Sequence, residues 1–148
     1  MKSNPGYFQT SIGRKFLVAG SGILLLGFVL IHMLGHLQMF LGQNAYNRYA
    51  HTLKNLGPIL WVMRIGLLGI FILHVKNAVE LTKRNREARP IPYTNSQTLK
   101  ASPASLTMIY SGILVALFLV YHLLHFTLGV VSPNEFKLTD TEGRPDVY

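Results

Sequence analysis

The sequence predicts an all-α integral membrane helix bundle, with three transmembrane helices in this chain. Three observations carry that prediction. Only 14% of the 148 residues are charged and 49% are hydrophobic, against roughly 25% charged in ordinary soluble domains. Mean hydropathy is positive, at +0.30. The apolar residues also gather in long runs, two of which stay uncharged for more than the ~20 residues that a helix needs to cross a bilayer core.

The first helix is expected over about 14–41, inside the uncharged stretch between Lys15 and Arg48. It exceeds a signal-peptide core and no small-residue cleavage site follows, so it is read as a retained span. The second is expected over about 58–83, in "PILWVMRIGLLGIFILHVKNAVEL", which holds Arg64 and Lys76. Only eleven uncharged residues separate those two. Their long side chains can nevertheless reach opposite interfaces while the backbone crosses. The third is expected over about 104–131, with Pro103 in its first turn, where a missing N–H costs nothing. Residues 1–148 thus form a single transmembrane domain, with a polar loop at about 84–103 and a polar tail at 132–148.

The chain has no cysteine, which excludes disulfides and thiolate metal or iron–sulfur ligation by its own residues. Its net charge of +8 forms no continuous basic face, because the charges fall between apolar runs, and nucleic acid is not an expected partner. The lipid bilayer is. Eight lysines and arginines precede the first span or lie between the second and third, against four on the other side. That asymmetry places the N-terminus in the cytoplasm. The loop "RNREARPIPYTNSQTLKASP", with three prolines, then faces the cytoplasm and can meet a soluble partner.

Histidine is the residue that apolar spans do not need. His32 and His36 lie in "FVLIHMLGHLQMF", His122 and His125 in "FLVYHLLHFTLG", and His74 in "FILHVKNA". Seventeen residues separate Lys15 from His32 and eighteen separate Ala104 from His122, so both imidazoles sit roughly 25–27 Å from the inner edge at ~1.5 Å per residue. His74, sixteen residues after Pro58 on a helix running the other way, falls near the inner side at ~24 Å from the outer edge. Ionisable groups at such depth are costly and mark functional sites. His36 and His125 lie nearer the outer interface, and His51 lies in a polar connection, where ordinary hydrogen-bonding roles suffice.

Zinc would want three or four ligands, and no acid or cysteine lies at this depth. A proton relay would want an intramembrane carboxylate. Haem needs only two imidazoles from facing helices, and its apolar macrocycle suits a bundle in lipid. Gly20, Gly22, Gly27, Gly35 and Gly112 would let a flat ring approach the backbone, or else serve close helix packing. Iron held by two histidines has no vacant position, which favours electron transfer. Arg64, about one and a half turns into the second helix, is a candidate partner for a haem propionate, with Arg48 and Lys54 as poorer ones.

The stretch "SIGRKFLVAGSGILLLGFVLIHMLGHLQMFLGQNAYNRYAHTL", with "REARPIPY", "SLTMIYSGILVALFLVYHLLHFTLG" and "DTEGRPDVY", resembles the cytochrome b membrane-anchor subunit of succinate dehydrogenase/fumarate reductase, in its single-polypeptide di-haem class. The resemblance covers nearly the whole chain. It implies a five-helix bundle holding two b haems and a quinone site, usually for menaquinone. It implies partner subunits carrying FAD and iron–sulfur clusters, and a prokaryotic cytoplasmic membrane. It carries over His32 and His122 as axial ligands of the outer haem iron and His74 as a ligand of the inner one. The partner of His74 would come from a fourth helix, beyond the three in this sequence, on the same or another polypeptide. The resemblance gives the chain electron-transfer residues and no catalytic ones. A bis-histidine cytochrome b of another dehydrogenase, or a non-redox scaffold or transporter with structural histidines, are the other readings of the same residues.

Overall fold

A computed structural model describes residues 6–88 and 101–148. Its helices are α1 (Ser11–His36), α2 (Gln43–Lys54), α3 (Pro58–Glu87) and α4 (Pro103–His122). Short 3₁₀ turns lie at Tyr7–Gln9, Leu37–Leu41 and Glu135–Lys137, and a π turn at Leu123–Thr127. Among the described residues the extended pairing is a single isolated bridge, Thr139 with Pro145. Three stretches, Ser11–Leu41, Pro58–Glu87 and Pro103–Thr127, are long and apolar enough to cross a membrane. Their side chains are largely exposed, with Ile23 and Val62 each at 70%. For a soluble protein that exposure would be an aggregation hazard; for helices solvated by lipid it is the low-energy state.

Local chemistry sets each boundary. Thr10 caps α1, its hydroxyl oxygen accepting from the Gly13 amide at 3.0 Å, so the helix starts at Ser11 rather than near residue 14. Gly13 is needed there because the preceding turn folds back onto it; an added Cβ would fall within 2.9 Å of Phe8 Cα. Helix α3 begins on Pro58 and continues to Glu87, past the expected residue 83. Its last turns are held by a Glu80–Arg84 pair at 3.0 Å and by Arg84 Nη1 donating to the Gln9 carbonyl at 3.0 Å. Ser102 and Pro103 open α4, the proline standing in the first turn as expected. The third span closes at Thr127, short of residue 131, where Gly129 adopts φ +65°. Of the expected loop at 84–103, residues 89–100 lie outside the described residues.

Helix α3 is the principal partner of α1. Gly20 and Ser21 on α1 with Gly66 and Gly69 on α3 line an apolar groove of about 380 Å³ between the helices, and an added Cβ at any of these three glycines would meet open space. Arg14 reaches across to Asn77, which is 7% exposed, with Nη1 3.4 Å from its Oδ1. At the opposite end of α1 the chain does what the sequence reading did not anticipate. The polar connection forms α2, and the tail folds onto it as a hairpin. Asn47 is fully buried there. Its Nδ2 donates to Asp146 Oδ1 at 2.9 Å, and its Oδ1 accepts from the Val147 amide at 2.9 Å. Arg144 locks the hairpin through Asp140 at 2.8 Å and reaches Asn44 at 2.6 Å.

Burial pushes the Asp140 carboxyl up, but hydrogen bonds from the Arg144 amide and guanidinium and the Glu142 amide outweigh it and hold it below its ordinary 3.8. Asp146 is held below the same value by the Asn47 amide first, then by the Tyr148 N–H and Gln43. Both carboxyls have folded values below their unfolded ones. Their contribution to docking is therefore complete above pH 3.8 and is lost as pH falls through the depressed folded values. Limited proteolysis of the tail in bilayers should be unchanged from neutral pH down to about 5 and accelerate below 3.8. Asn47→Ala removes the two hydrogen bonds that the buried amide makes to Asp146 and Val147, each worth about 0.5–1.5 kcal/mol, and should release the tail to protease already at neutral pH.

Candidate functional site

Four of the six histidines gather at two levels of the structure. At the first level His74, on α3, packs against α1. Its Nδ1 lies 3.1 Å from the Ser21 hydroxyl and 3.2 Å from the Val18 carbonyl oxygen. Gly22 completes the seat, since a Cβ there would stand 3.3 Å from His74 Cε1. Ser21 is 5% exposed. It is the single hydroxyl between Lys15 and His32, and that isolation in an apolar run was the available signal for a role the sequence reading did not assign.

The second level lies about 16 Å further along α1, the eleven-residue rise from Ser21 to His32. Here α4 meets α1. The His32 and His122 ring centroids are 5.9 Å apart with planes at 82°. Phe28 stacks on His32 at 5.2 Å, and Phe118 and Phe126 flank His122 at 5.7 and 5.1 Å. His36 belongs to this group too. Its Nε2 is 3.2 Å from His32 Nε2, and its Nδ1 hydrogen-bonds the Tyr46 hydroxyl of α2. Burial raises the Tyr46 phenol above its usual value, with a smaller push from Tyr49, so it stays protonated and neutral here.

His125 does not join them. The π turn at Leu123–Thr127, with Leu128 N donating to Leu123 O at 3.0 Å, widens the helix directly after His122. That turn carries His125 to Tyr121 and Phe126, at 5.7 and 4.2 Å. His51 is exposed and pairs locally with Asn55 at 3.2 Å. The guanidinium of Arg64 lies 5.3 Å from the centroid of the Trp61 ring on the preceding turn, a cation–π contact at the helix surface.

The five glycines divide. Gly22 and Gly35 receive protein rings, those of His74 and Tyr49. Gly20, Gly27 and Gly112 have open space where a side chain would be, and Gly20 lines the α1–α3 groove. Among the described residues, no three or more His, Cys, Asp or Glu converge to hold a metal ion. A bare ion needs three or four such ligands. A macrocycle that brings its own equatorial donors needs only one or two axial ones; the first level offers one imidazole and the second three. No protein-family model, curated protein or solved structure matches the chain.

The close seat of Tyr49 on Gly35 gives a direct check on how α2 is fixed to α1. An added Cβ at Gly35 would meet the Tyr49 hydroxyl and stand 3.0 Å from its Cζ. Gly35→Ala should cost about 1–3 kcal/mol by overpacking. Adding Tyr49→Phe, which removes the oxygen in the way, should recover most of that loss in thermal unfolding of the detergent-solubilised chain.

Proposed function

We propose that this chain is a haem b-binding membrane-anchor subunit of a succinate:quinone oxidoreductase, passing electrons between an iron–sulfur subunit and membrane quinone. The observation that carries the reading is the meeting of His32 and His122 from two different spanning helices. The two rings lie 5.9 Å apart. His74 stands at a separate level, with its Nδ1 edge held and its Nε2 making no hydrogen bond among the described residues, as for a ligating imidazole. The donor set fits haem, with one adjustment: ligation of iron through His32 Nε2 replaces the contact with His36 Nε2.

In this reading His32 and His122 would hold the outer haem iron, with Phe28, Phe118 and Phe126 around the site. His74 would hold the inner one, with its second ligand from a helix outside this sequence. Bound haem supplies one-electron chemistry without a vacant coordination position. Arg64 is proposed to pair with an outer propionate in exchange for its seat on Trp61. The basic end of the bundle, with Arg14, Lys15, Lys83 and Arg86, faces the cytoplasm. It docks the iron–sulfur subunit, which in turn carries the FAD flavoprotein; the quinone is menaquinone, and the membrane is the cytoplasmic membrane of a prokaryote. The observation that favours a non-redox scaffold instead is the His32–His36–Tyr46 chain, in which the histidines satisfy one another without a cofactor.

An optical spectrum separates the two. A reduced-minus-oxidised b-type signal is expected, and its absence from the natively purified complex would remove the haem reading. His32→Leu and His122→Leu should each abolish the same haem. His74→Leu should spare that haem and remove only the inner one, while His36→Leu and His125→Leu should keep both. Mild-detergent purification should retrieve succinate-oxidising activity with the chain; a b-type spectrum without it would point to a cytochrome b of another dehydrogenase. Arg64→Gln should shift the outer haem's midpoint potential, and an unchanged potential would leave Trp61 and the headgroups as its partners.

A further inference from the structure

His74 is held in a way that fixes where its proton sits. The Val18 carbonyl oxygen, 3.2 Å from Nδ1, can only accept. The Ser21 hydroxyl has one proton, and the Leu17 carbonyl oxygen at 2.5 Å takes it in the usual back-bond of a helical serine. What Ser21 turns toward His74 is therefore a lone pair. Both neighbours of Nδ1 are acceptors, so Nδ1 carries the hydrogen. Among the described residues the hydrogen bonds of His74 run through Nδ1 alone. In a neutral imidazole that leaves the lone pair on Nε2. Gly22 closes the third side of the ring, where a methyl would press on Cε1 at 3.3 Å.

We propose that Ser21 is a positioning residue: with the Val18 carbonyl and the glycine at position 22, it forms a socket that holds His74 as the Nδ1–H tautomer and presents Nε2 as its ligating nitrogen. The tautomer follows from the socket alone, while its use as an inner-haem ligand rests on the function proposed above. A ligand imidazole donating from its far nitrogen is oriented and made more basic, which favours ferric over ferrous iron. Ser21 thus tunes the inner site through His74 without touching the metal.

The tautomer can be read without any cofactor, by ¹⁵N solid-state NMR of the histidine-labelled full chain in lipid bilayers. His74 is expected to show a protonated Nδ1 and an unprotonated Nε2. Ser21→Ala should leave the Nδ1–H on the Val18 carbonyl alone and move the Nδ1 resonance toward that of a weaker hydrogen bond, and Ser21→Thr should restore the wild-type spectrum. An Nε2–H form in the wild type, or an alanine variant identical to it, would overturn the socket. In the haem-loaded native complex, Ser21→Ala should raise the midpoint potential of one haem only and weaken its retention about tenfold, again with rescue by threonine. An unmoved potential, with the Nδ1 resonance shifted as expected, would show that the socket does not act on an axial ligand. A complex with no b-type haem would sink the haem reading while leaving the tautomer result intact.

Discussion

A polar group carried into the bilayer must find its partner within the protein, because the surrounding hydrocarbon offers none. That constraint governs where these helices touch. The α1–α3 contact is built around polar side chains that would otherwise be stranded: His74 on Ser21 and Val18, and Arg14 on Asn77, whose amide nitrogen donates to the Leu73 carbonyl of its own helix at 2.8 Å. The α1–α4 contact is built around histidines, with His36 further tied to Tyr46. The apolar side chains have no comparable need, since lipid solvates a leucine as well as another leucine does. They stay largely exposed, and the packing follows the few residues that cannot.

The two ends of the bundle solve their polar problem differently. Where α1 begins, long cationic side chains reach across to α3, and Arg84 fastens onto the Gln9 carbonyl. Where α1 ends, the chain builds an extra layer. Helix α2 brings Tyr46 to His36 and sets Asn47, its next neighbour, under the tail hairpin. Two adjacent residues on one helix thus join the histidine level to the water-facing surface.

The sequence already displayed the three spans and their order, because hydropathy over twenty residues is a strong and local signal. It also showed that His32 and His122 belong at one depth and His74 at another, since helical rise converts position directly into height. Choosing between His122 and His125 was beyond such arithmetic. The π turn that parts them is a change in winding that no residue nearby announces. Helix α2 was hidden for the opposite reason: its buried face is made of Tyr46 and Asn47, which hydropathy scores as surface. Ser21 was visible as a lone hydroxyl, yet its partner lies 53 residues away, and only the packing of α1 on α3 reveals the pairing. The glycines show the limit of composition: two of the five seat the protein's own rings, and nothing in their spacing says which two.

The pairing of Asn47 with Asp146 spans 99 residues of sequence, and it has a consequence for how the chain is made. Between α2 and the tail lie two membrane crossings, one out and one back. At 5–20 residues per second, Asn47 waits roughly 5–20 s for its partner to be synthesised. The wait ends well if both α3 and α4 have inserted, and not if only one has. Helix α3, with Arg64 and Lys76, is the least apolar of the spans, and were it to stay out, the tail would be delivered to the far side of the bilayer. Asn47 would then have no carboxylate to meet. The docked hairpin is in this sense a parity check on insertion, closing only when an even number of crossings has returned the chain to the side where α2 was left.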